Sequence, residues 1–368
     1  MPRFMIDDPT RANPLSLLNT SRMAAITDIV SPRTDYLTVT GESGILVYED
    51  VVLSVGDAVF KTERTTLSTS NLDTGTAFQV GSDYYVYICD NGSDTEAFRI
   101  SLNTTFPAGF NADSSRKIGG FHFGQCRRHN AITLQPINTA GVERGTGWES
   151  NVYSGILPRS VWTMMHRPKC SPEGMVYLTS GIWVDIYLSS PNGAGGLRSA
   201  FNELPATGTE GHHWYNFAEL LLGSNKRMMT YAEFCECALG APQGADGNNT
   251  NAWAQTTNTA RQRTGFVGPA VSSFGCRDTT GNVYEWVDEL VTRYDASGAN
   301  AIQSSWTWHD VFPGYGRAHM NSPNQLVALL AGGAWNVGVA AGPRSVHANL
   351  RPWYAGAGSG VRGACESL

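Results

Sequence analysis

A chain of 368 residues with 41% hydrophobic and 16% charged content is sized for roughly two or three soluble domains. A formal net charge of -6 without a dense Lys/Arg block argues against a nucleic-acid partner or an anionic membrane surface; Arg127-Arg128 is the nearest basic pair and reads as a solvated loop. The longest apolar run, Leu326 to Ala331, is too short to span a bilayer, and MPRFMIDDPTRANP lacks the apolar stretch of a secretory signal, so synthesis in the cytosol is expected.

Forty glycines point to frequent turns and short strands. Seven cysteines, an odd number, do not make a disulfide framework, and Cys235-x-Cys237 lacks zinc-knuckle spacing; they read as buried packing thiols.

Short β-type runs open the chain. Asp35-Tyr36-Leu37-Thr38-Val39-Thr40 and Gly44-Ile45-Leu46-Val47-Tyr48, separated by Gly41-Glu42-Ser43, predict a hairpin. So small a segment needs partner chains or the next domain for stability. Between 51 and 155 the strands continue. Tyr84-Tyr85-Val86-Tyr87-Ile88-Cys89 is apolar on both alternating faces, predicting a strand buried on both sides and closed by a turn at Asp90-Asn91-Gly92. In Ile118-Gly119-Gly120-Phe121-His122-Phe123 the paired glycines mark a bulge or a close backbone approach. A β-sandwich is the economical architecture for this region.

After the loop Ser154 to Pro158 the pattern changes. Met175 to Tyr177 and Ile182 to Leu188 predict strands. Trp214, Phe217, Ala218 and Leu221 recur at i, i+3, i+4 and i+7, one stripe of a helix. A second helix has a Thr230/Glu233 capping box, an apolar face of Tyr231, Phe234, Cys235 and Ala238, and Gly240 as its left-handed stop. Residues 241 to 263 form a polar, glycine- and asparagine-rich loop expected to be mobile. Strands resume at Gly281-Asn282-Val283-Tyr284-Glu285-Trp286.

The closing segment reads GGAWNVGVAAGPRSVHANLRPWYAGAGSGVRGACESL, Gly332 to Leu368. Fixed punctuation (Gly332-Gly333, Trp335-Asn336, Gly342, Arg344, Pro352, Gly360, Arg362-Gly363-Ala364-Cys365) alternates with residues of no shared chemistry. A catalytic segment needs acids, bases or nucleophiles at set places, and glycine, alanine, valine and leucine stand there instead. A scaffold that presents interchangeable side chains fits better.

This segment resembles the C-terminal variable region of the major tropism determinant family, phage receptor-binding proteins diversified by a retroelement, and reproduces its frame GG-x-WN…G-x-R…P…G-x-RG-x-C without a gap. The likeness extends upstream through Asp83 to Asp90, Arg116 to His122, Trp183 to Leu188 and Trp214 to Glu219, and covers roughly residues 80 to 368; the stretch before it is only weakly similar. The resemblance implies a mainly β plus α+β protein. A β-prism-like trimerisation or attachment segment would occupy 1–50, a β-sandwich 51–155, and a C-type lectin domain 156–368, with its variable region at 332–368. That lectin branch is shared with formylglycine-generating enzymes, and the run at Gly281 to Trp286 is its signature.

By the same frame, receptor contacts are expected at Ala334, Val337, Ala340, His347, Asn349, Leu350, Trp353, Tyr354, Gly356, Gly358 and Ser359. Trp335, Asn336, Arg344 and Arg362 are expected as scaffold, Trp335 filling core volume and Asn336 satisfying loop backbone. Trp353 and Tyr354 are the large, stiff, amphipathic surfaces that dominate interface energy. The implied protein is a phage or prophage tail-fibre tropism determinant and not an enzyme. It would be made in the bacterial host cytoplasm and displayed on the virion at the tail-fibre tip. It would be a homotrimer among other tail-fibre proteins that binds a host cell-surface protein or glycan receptor, without nucleic acid and without membrane insertion. The alternative is a structural trimeric fibre or baseplate protein with no receptor of its own.

Two rival chemistries find little support. A formylglycine-generating oxidase carries copper-binding cysteines after its GG-aromatic motif, and Asn336 to Arg344 contains none. A calcium-dependent sugar lectin uses Glu-Pro-Asn or Gln-Pro-Asp with Trp-Asn-Asp, and none of these occurs. No cofactor is expected beyond a possible structural calcium, for which Asp185, Glu219, Glu285, Asp288 and Glu289 are the candidate carboxylates; His212-His213 lacks a third ligand and reads as a loop pair.

Overall fold

The computed structural model describes residues 4–5, 36–92, 97–292, 307–310, 313–320 and 326–368. Asp35 of the expected hairpin and most of the 1–50 segment therefore lie outside the described residues. The chain divides into two compact units, one of residues 1–124, 155–167 and 368, the other of 125–154 and 168–367.

The first unit is built from β1 (Phe4–Met5), β2 (Leu37–Thr40), β3 (Gly44–Val47), β4 (Val52–Val55), β5 (Ala58–Lys61), β6 (Thr65–Leu67), β7 (Ser82–Cys89), β8 (Ala97–Ser101), β9 (Ser115–Arg127), β10 (Val152–Ile156) and β11 (Trp162–Thr163). They form sheets β1-β5-β4, β2-β3-β6 and β10-β9-β7-β8, with β11 added on β9. The expected hairpin is present, with Leu37 opposite Val47 and Thr40 opposite Gly44. It does not stand alone. β3 pairs with β6 (Ile45 opposite Leu67), and Ile45, Val47 and Leu67 share one core with Val86, Ile88 and Phe121. Packing is thus continuous across position 50, as a hairpin too small to bury a core alone requires.

Tyr84 to Cys89 of β7 are buried throughout, and the Gly92 N–H donates to the Asp90 side chain at 2.8 Å in the turn that follows. The paired glycines of β9 serve both expected purposes. The β7–β9 register slips one residue where Val86 faces Gly119 and Tyr87 faces Lys117, and a Cβ on Gly120 would come within 2.5 Å of the Tyr84 carbonyl oxygen and 2.8 Å of the Trp162 indole nitrogen.

The second unit contains β12 (Met175–Tyr177), β13 (Ile182–Asp185), β14 (Ser189–Pro191), β15 (Leu197–Ser199), α1 (Trp214–Leu222), β16 (Arg227–Met228), α2 (Tyr231–Cys237), β17 (Tyr284–Thr292), β18 (Thr307–His309), β19 (Ala318–Met320), β20 (Leu326–Ala331), β21 (Val346–Leu350), β22 (Ser359–Val361) and β23 (Gly363–Glu366). Its sheets run β12-β13-β23-β16, β14-β15 and β18-β19-β21-β20-β17-β22. α1 and α2 are the only α-helices among the described residues. Phe217 and Leu221 of α1 enter a core with Trp286, Leu330 and Val361. α2 carries the Thr230/Glu233 capping box, and Gly240 beyond it takes φ +80°. None of the helices among the described residues is long and apolar enough to cross a membrane.

Three expectations are corrected here. β13 stops at Asp185 rather than Leu188, because Ile186 leaves the ladder to donate its N–H to Gly174 and accept from Arg277. His213 is more than a loop residue: its ring accepts the Asn216 N–H and caps α1. Arg127 is not solvated. It is buried, with its guanidinium donating to the carbonyls of Val271, Trp148, Glu149 and Pro269, while Arg128 is the exposed member of the pair. Six of the seven cysteines are buried and Cys235 is half-buried, all as free thiols.

Candidate functional site

The C-terminal segment is threaded through the six-stranded and the four-stranded sheets of the second unit, and its fixed residues explain how. Gly332 and Gly333 take φ +84° and +94°, and a Cβ on Gly333 would fall 2.6 Å from the Ala341 Cα. At the far end Arg362 is fully buried. Its Nε and Nη2 grip both oxygens of Glu285 at 2.9 and 2.8 Å, and the remaining N–H groups donate to the carbonyls of Asp185, Ile186 and Arg277 at 2.6–3.0 Å. All five guanidinium N–H groups are used, as a buried cation requires. Burial pushes the Glu285 carboxyl up, against the pull of Arg362.

A second buried pair lies beside it. Lys226 donates to Asp185 at 2.6 Å, and Asp185 also accepts the Gly363 N–H at 3.1 Å. Burial works to lower the Lys226 ammonium, but Asp185 outweighs it and holds the group above its ordinary value. Of the carboxylates weighed for calcium, Asp185 and Glu285 are thus committed to cations, and Glu289 accepts the Tyr231 N–H at 2.7 Å. Among the described residues no cluster of three or more His, Cys, Asp or Glu side chains is placed to share an ion.

The loop at 241–263, expected to be mobile, is instead cross-braced. The Asn249 carboxamide accepts from the N–H groups of Ala254 and Gln255 and from Asn258, and Asn282 pairs both its amide atoms with the backbone of Gln262. The loop then cradles the start of the closing segment. Gly244 donates to Ala341, Gly338 to Ala254, the Asn258 amide to Trp335, and Val339 to Asp246. Asparagine and glycine here supply local backbone bonds rather than disorder.

The expected contact positions divide by burial. Trp353 is 55% and Tyr354 45% exposed, on the loop between β21 and β22. Val337, Leu350, Gly356 and Gly358 are half-buried, while Ala334, Ala340, His347, Asn349 and Ser359 are buried. His347 and Asn349 lie on β21, inside the six-stranded sheet between β19 and β20, and Ser359 on β22 beside β17, whereas Ala334 and Ala340 are buried in the turn that precedes them. His347 stacks on His319 (ring centroids 4.6 Å apart) and packs near Tyr284 and Trp308. Burial, then the neighbouring His319, depresses its imidazole to about 3. Both polar atoms of the Asn349 amide are buried without a hydrogen-bond partner.

The expected scaffold divides as well. Arg362 is buried, but Trp335 is half-buried and Asn336 exposed, because the braced turn at 336–341 holds this stretch at the rim by its backbone. Arg344 has an exposed side chain and a pinned backbone. Ala355 and Ala357 are exposed too, and side chains that small gave no signal in the sequence.

The exposed loop is itself anchored. The Pro352 carbonyl accepts the Trp214 N–H at 3.0 Å, Gly208 donates to Gly356 at 3.1 Å, and the Gly358 carbonyl accepts from Tyr284 at 2.7 Å. A Cβ on Gly356 would collide with the Tyr354 ring, whereas one on Gly358 would make ordinary contact with Ala334 and Trp335 at 3.6–3.9 Å.

Residues 35–149 match the family model described as Mtd second domain. The tail fiber receptor-binding protein of Bordetella phage BPP-1 is 27% identical over 322 residues, 79% of this chain and 73% of that one. The solved structure of the Major Tropism Determinant U1 variant is 25% identical, covers 92% of this chain and 85% of its own, and superposes with a TM-score of 0.67. The chain is similar to the major tropism determinants. The M1 variant gives the same TM-score at 23% identity, and the mainly β fold with two helices agrees with these major tropism determinant structures.

Proposed function

We propose that this chain is a phage tail-fibre receptor-binding protein, a tropism determinant that grips a host-surface molecule through the C-terminal segment. The observation that carries the reading is the 351–358 loop. It presents Trp353 and Tyr354 to solvent while backbone bonds to Trp214, Gly208 and Tyr284 fix it from beneath. Rigid aromatic surface on a preorganised loop loses little entropy on binding. Val337, Leu350, Gly356 and Gly358 form the half-buried margin of that surface. Ala334, Ala340, His347, Asn349 and Ser359 shape it from within, so changes there alter the ligand's seat rather than touch it directly.

Around this site the reading places a β-prism-like N-terminal segment, a β-sandwich and a C-type lectin domain, assembled as a homotrimer at the tail-fibre tip of the virion. A trimer gives three copies of a modest site and the avidity that follows. The family frame supports the trimer, and the relative's printed name supports a place in the tail fibre. The test is adsorption of the purified protein to host cells, with competition against phage infection. Specific, saturable adsorption that blocks infection is expected, and a protein that adsorbs to no host cell and leaves infection untouched overturns the reading. Sedimentation equilibrium checks the trimer, where a monomer mass at micromolar concentration is the contrary result.

A further inference from the structure

Away from the Trp353–Tyr354 loop, the second unit holds a cavity of about 370 Å3 whose lining includes Gln135, Leu239, Pro313, Tyr315, Pro343 and Arg344. Arg344 lines it with an exposed guanidinium on a pinned backbone. Its N–H donates to the Tyr315 carbonyl at 2.9 Å and its carbonyl accepts the Tyr231 hydroxyl at 2.8 Å, so the backbone is held from two sides.

Behind it runs an alternation of guanidinium groups and rings. Arg127 and Arg144 lie 5.1 and 4.9 Å from the Trp148 centroid, and Arg144 and Arg344 lie 4.4 and 6.0 Å from that of Tyr315. Arg127 is consumed by backbone carbonyls. Arg144 donates its Nε to the Gln135 carboxamide oxygen at 3.0 Å, which leaves the Gln135 NH2 as the donor end of that side chain, and the Arg144 Nη2 is buried without a partner. Among the described residues, neither Arg144 nor Arg344 has a carboxylate in ion-pair contact. Glu149 acts on Arg144 through space, and Glu289 acts on Cys235 at the cavity wall, but neither neutralises Arg344 by contact.

We propose that this cavity binds an acidic sugar residue. Its carboxylate is held by the Arg344 guanidinium and the Gln135 NH2, and its C–H face lies on Tyr315 and the two prolines. Three features select that class. The cavity volume suits one sugar ring; a guanidinium without an ion-pair partner, on a backbone held in place, calls for a carboxylate; and a lining that is part polar and part apolar suits a ring that is part hydroxyl and part apolar. The inference deepens the receptor reading and rests on it only for the sugar's source, a host-surface glycan.

The test uses the full-length protein and two ligands that differ at one group, methyl glucuronide and methyl glucoside, titrated by calorimetry or by saturation-transfer NMR. The glucuronide is expected to bind at least tenfold more tightly, with the advantage shrinking as salt rises. Arg344→Ala should abolish that advantage at an unchanged melting temperature, since the side chain is exposed, and Arg344→Lys should retain part of it. Equal binding of the two sugars, binding of neither, or an unchanged preference in Arg344→Ala overturns the proposal. Adsorption to host cells, measured alongside, separates the two readings. If cells are bound and the glucuronide is not, the acidic-sugar inference falls and the receptor reading stands.

Discussion

Arg362 and the Trp353–Tyr354 pair belong to one C-terminal segment and answer opposite demands. Arg362 is enclosed, with every N–H engaged and a buried carboxylate opposite it, so its surroundings tolerate almost nothing else. The loop that carries Trp353 and Tyr354 is held by main-chain bonds at Pro352, Tyr354, Gly356 and Gly358, which do not depend on the side chains it presents. The contrast teaches how one stretch of chain combines a fixed frame with a replaceable surface. Side-chain hydrogen bonds tie Arg362 to its identity, and main-chain hydrogen bonds set the loop without tying it to the side chains it carries.

The largest effect is expected at the frame. Arg362→Met strands Glu285 in the core and should destabilise by about 3–5 kcal/mol in a denaturant titration. Adding Glu285→Leu should restore only part of this, because the carbonyls of Asp185, Ile186 and Arg277 still lack their donor. Full recovery in the double variant would mean that the carbonyl bonds contribute little.

Two tryptophans sharpen the same contrast. Trp286→Ala, at a fully buried ring, should cost about 3–5 kcal/mol, and Trp335→Ala, at a half-buried one, about 1–2 kcal/mol. Equal losses in thermal melts would return Trp335 to the core that the sequence assigned it.

The fold was legible where pattern and packing coincide. The both-faced strand at Tyr84 to Cys89, the stripe of α1 and the Thr230/Glu233 box are local facts that tertiary structure had no reason to override. The candidate site was legible as a segment but not residue by residue. A sequence frame nominates positions, whereas exposure depends on neighbours in space: His347 and Asn349 are buried on β21, between β19 and β20, although nothing in their own spacing says so. Likewise Asn249 and Asn282 look like loop composition until their bonds to backbone are seen. Arg127 looks solvated until the carbonyls around it are counted.

His347 gives a smaller, pH-dependent effect. Its imidazole sits at about 3 in the folded chain against ~6.5 unfolded. Its contribution is therefore intact above about pH 6.5, falls as the unfolded chain takes up a proton that the native one refuses, and is fully lost below about pH 3. The slope is at most one proton, about 1.4 kcal/mol per pH unit. His347→Phe should flatten the stability profile between these limits relative to the parent, and identical slopes in the two proteins would show that the ring is not held neutral by its surroundings.

The smallest effect on stability and the largest on function should fall at the same place, the exposed loop. The most direct measurement pairs a melting curve with host-cell adsorption for the double variant Trp353→Ala/Tyr354→Ala. Stability within about 0.5 kcal/mol of the parent per site, together with a tenfold or greater loss of adsorption, is the predicted result. Adsorption unchanged in a folded variant, or a variant that unfolds, would contradict the division of this segment into frame and surface.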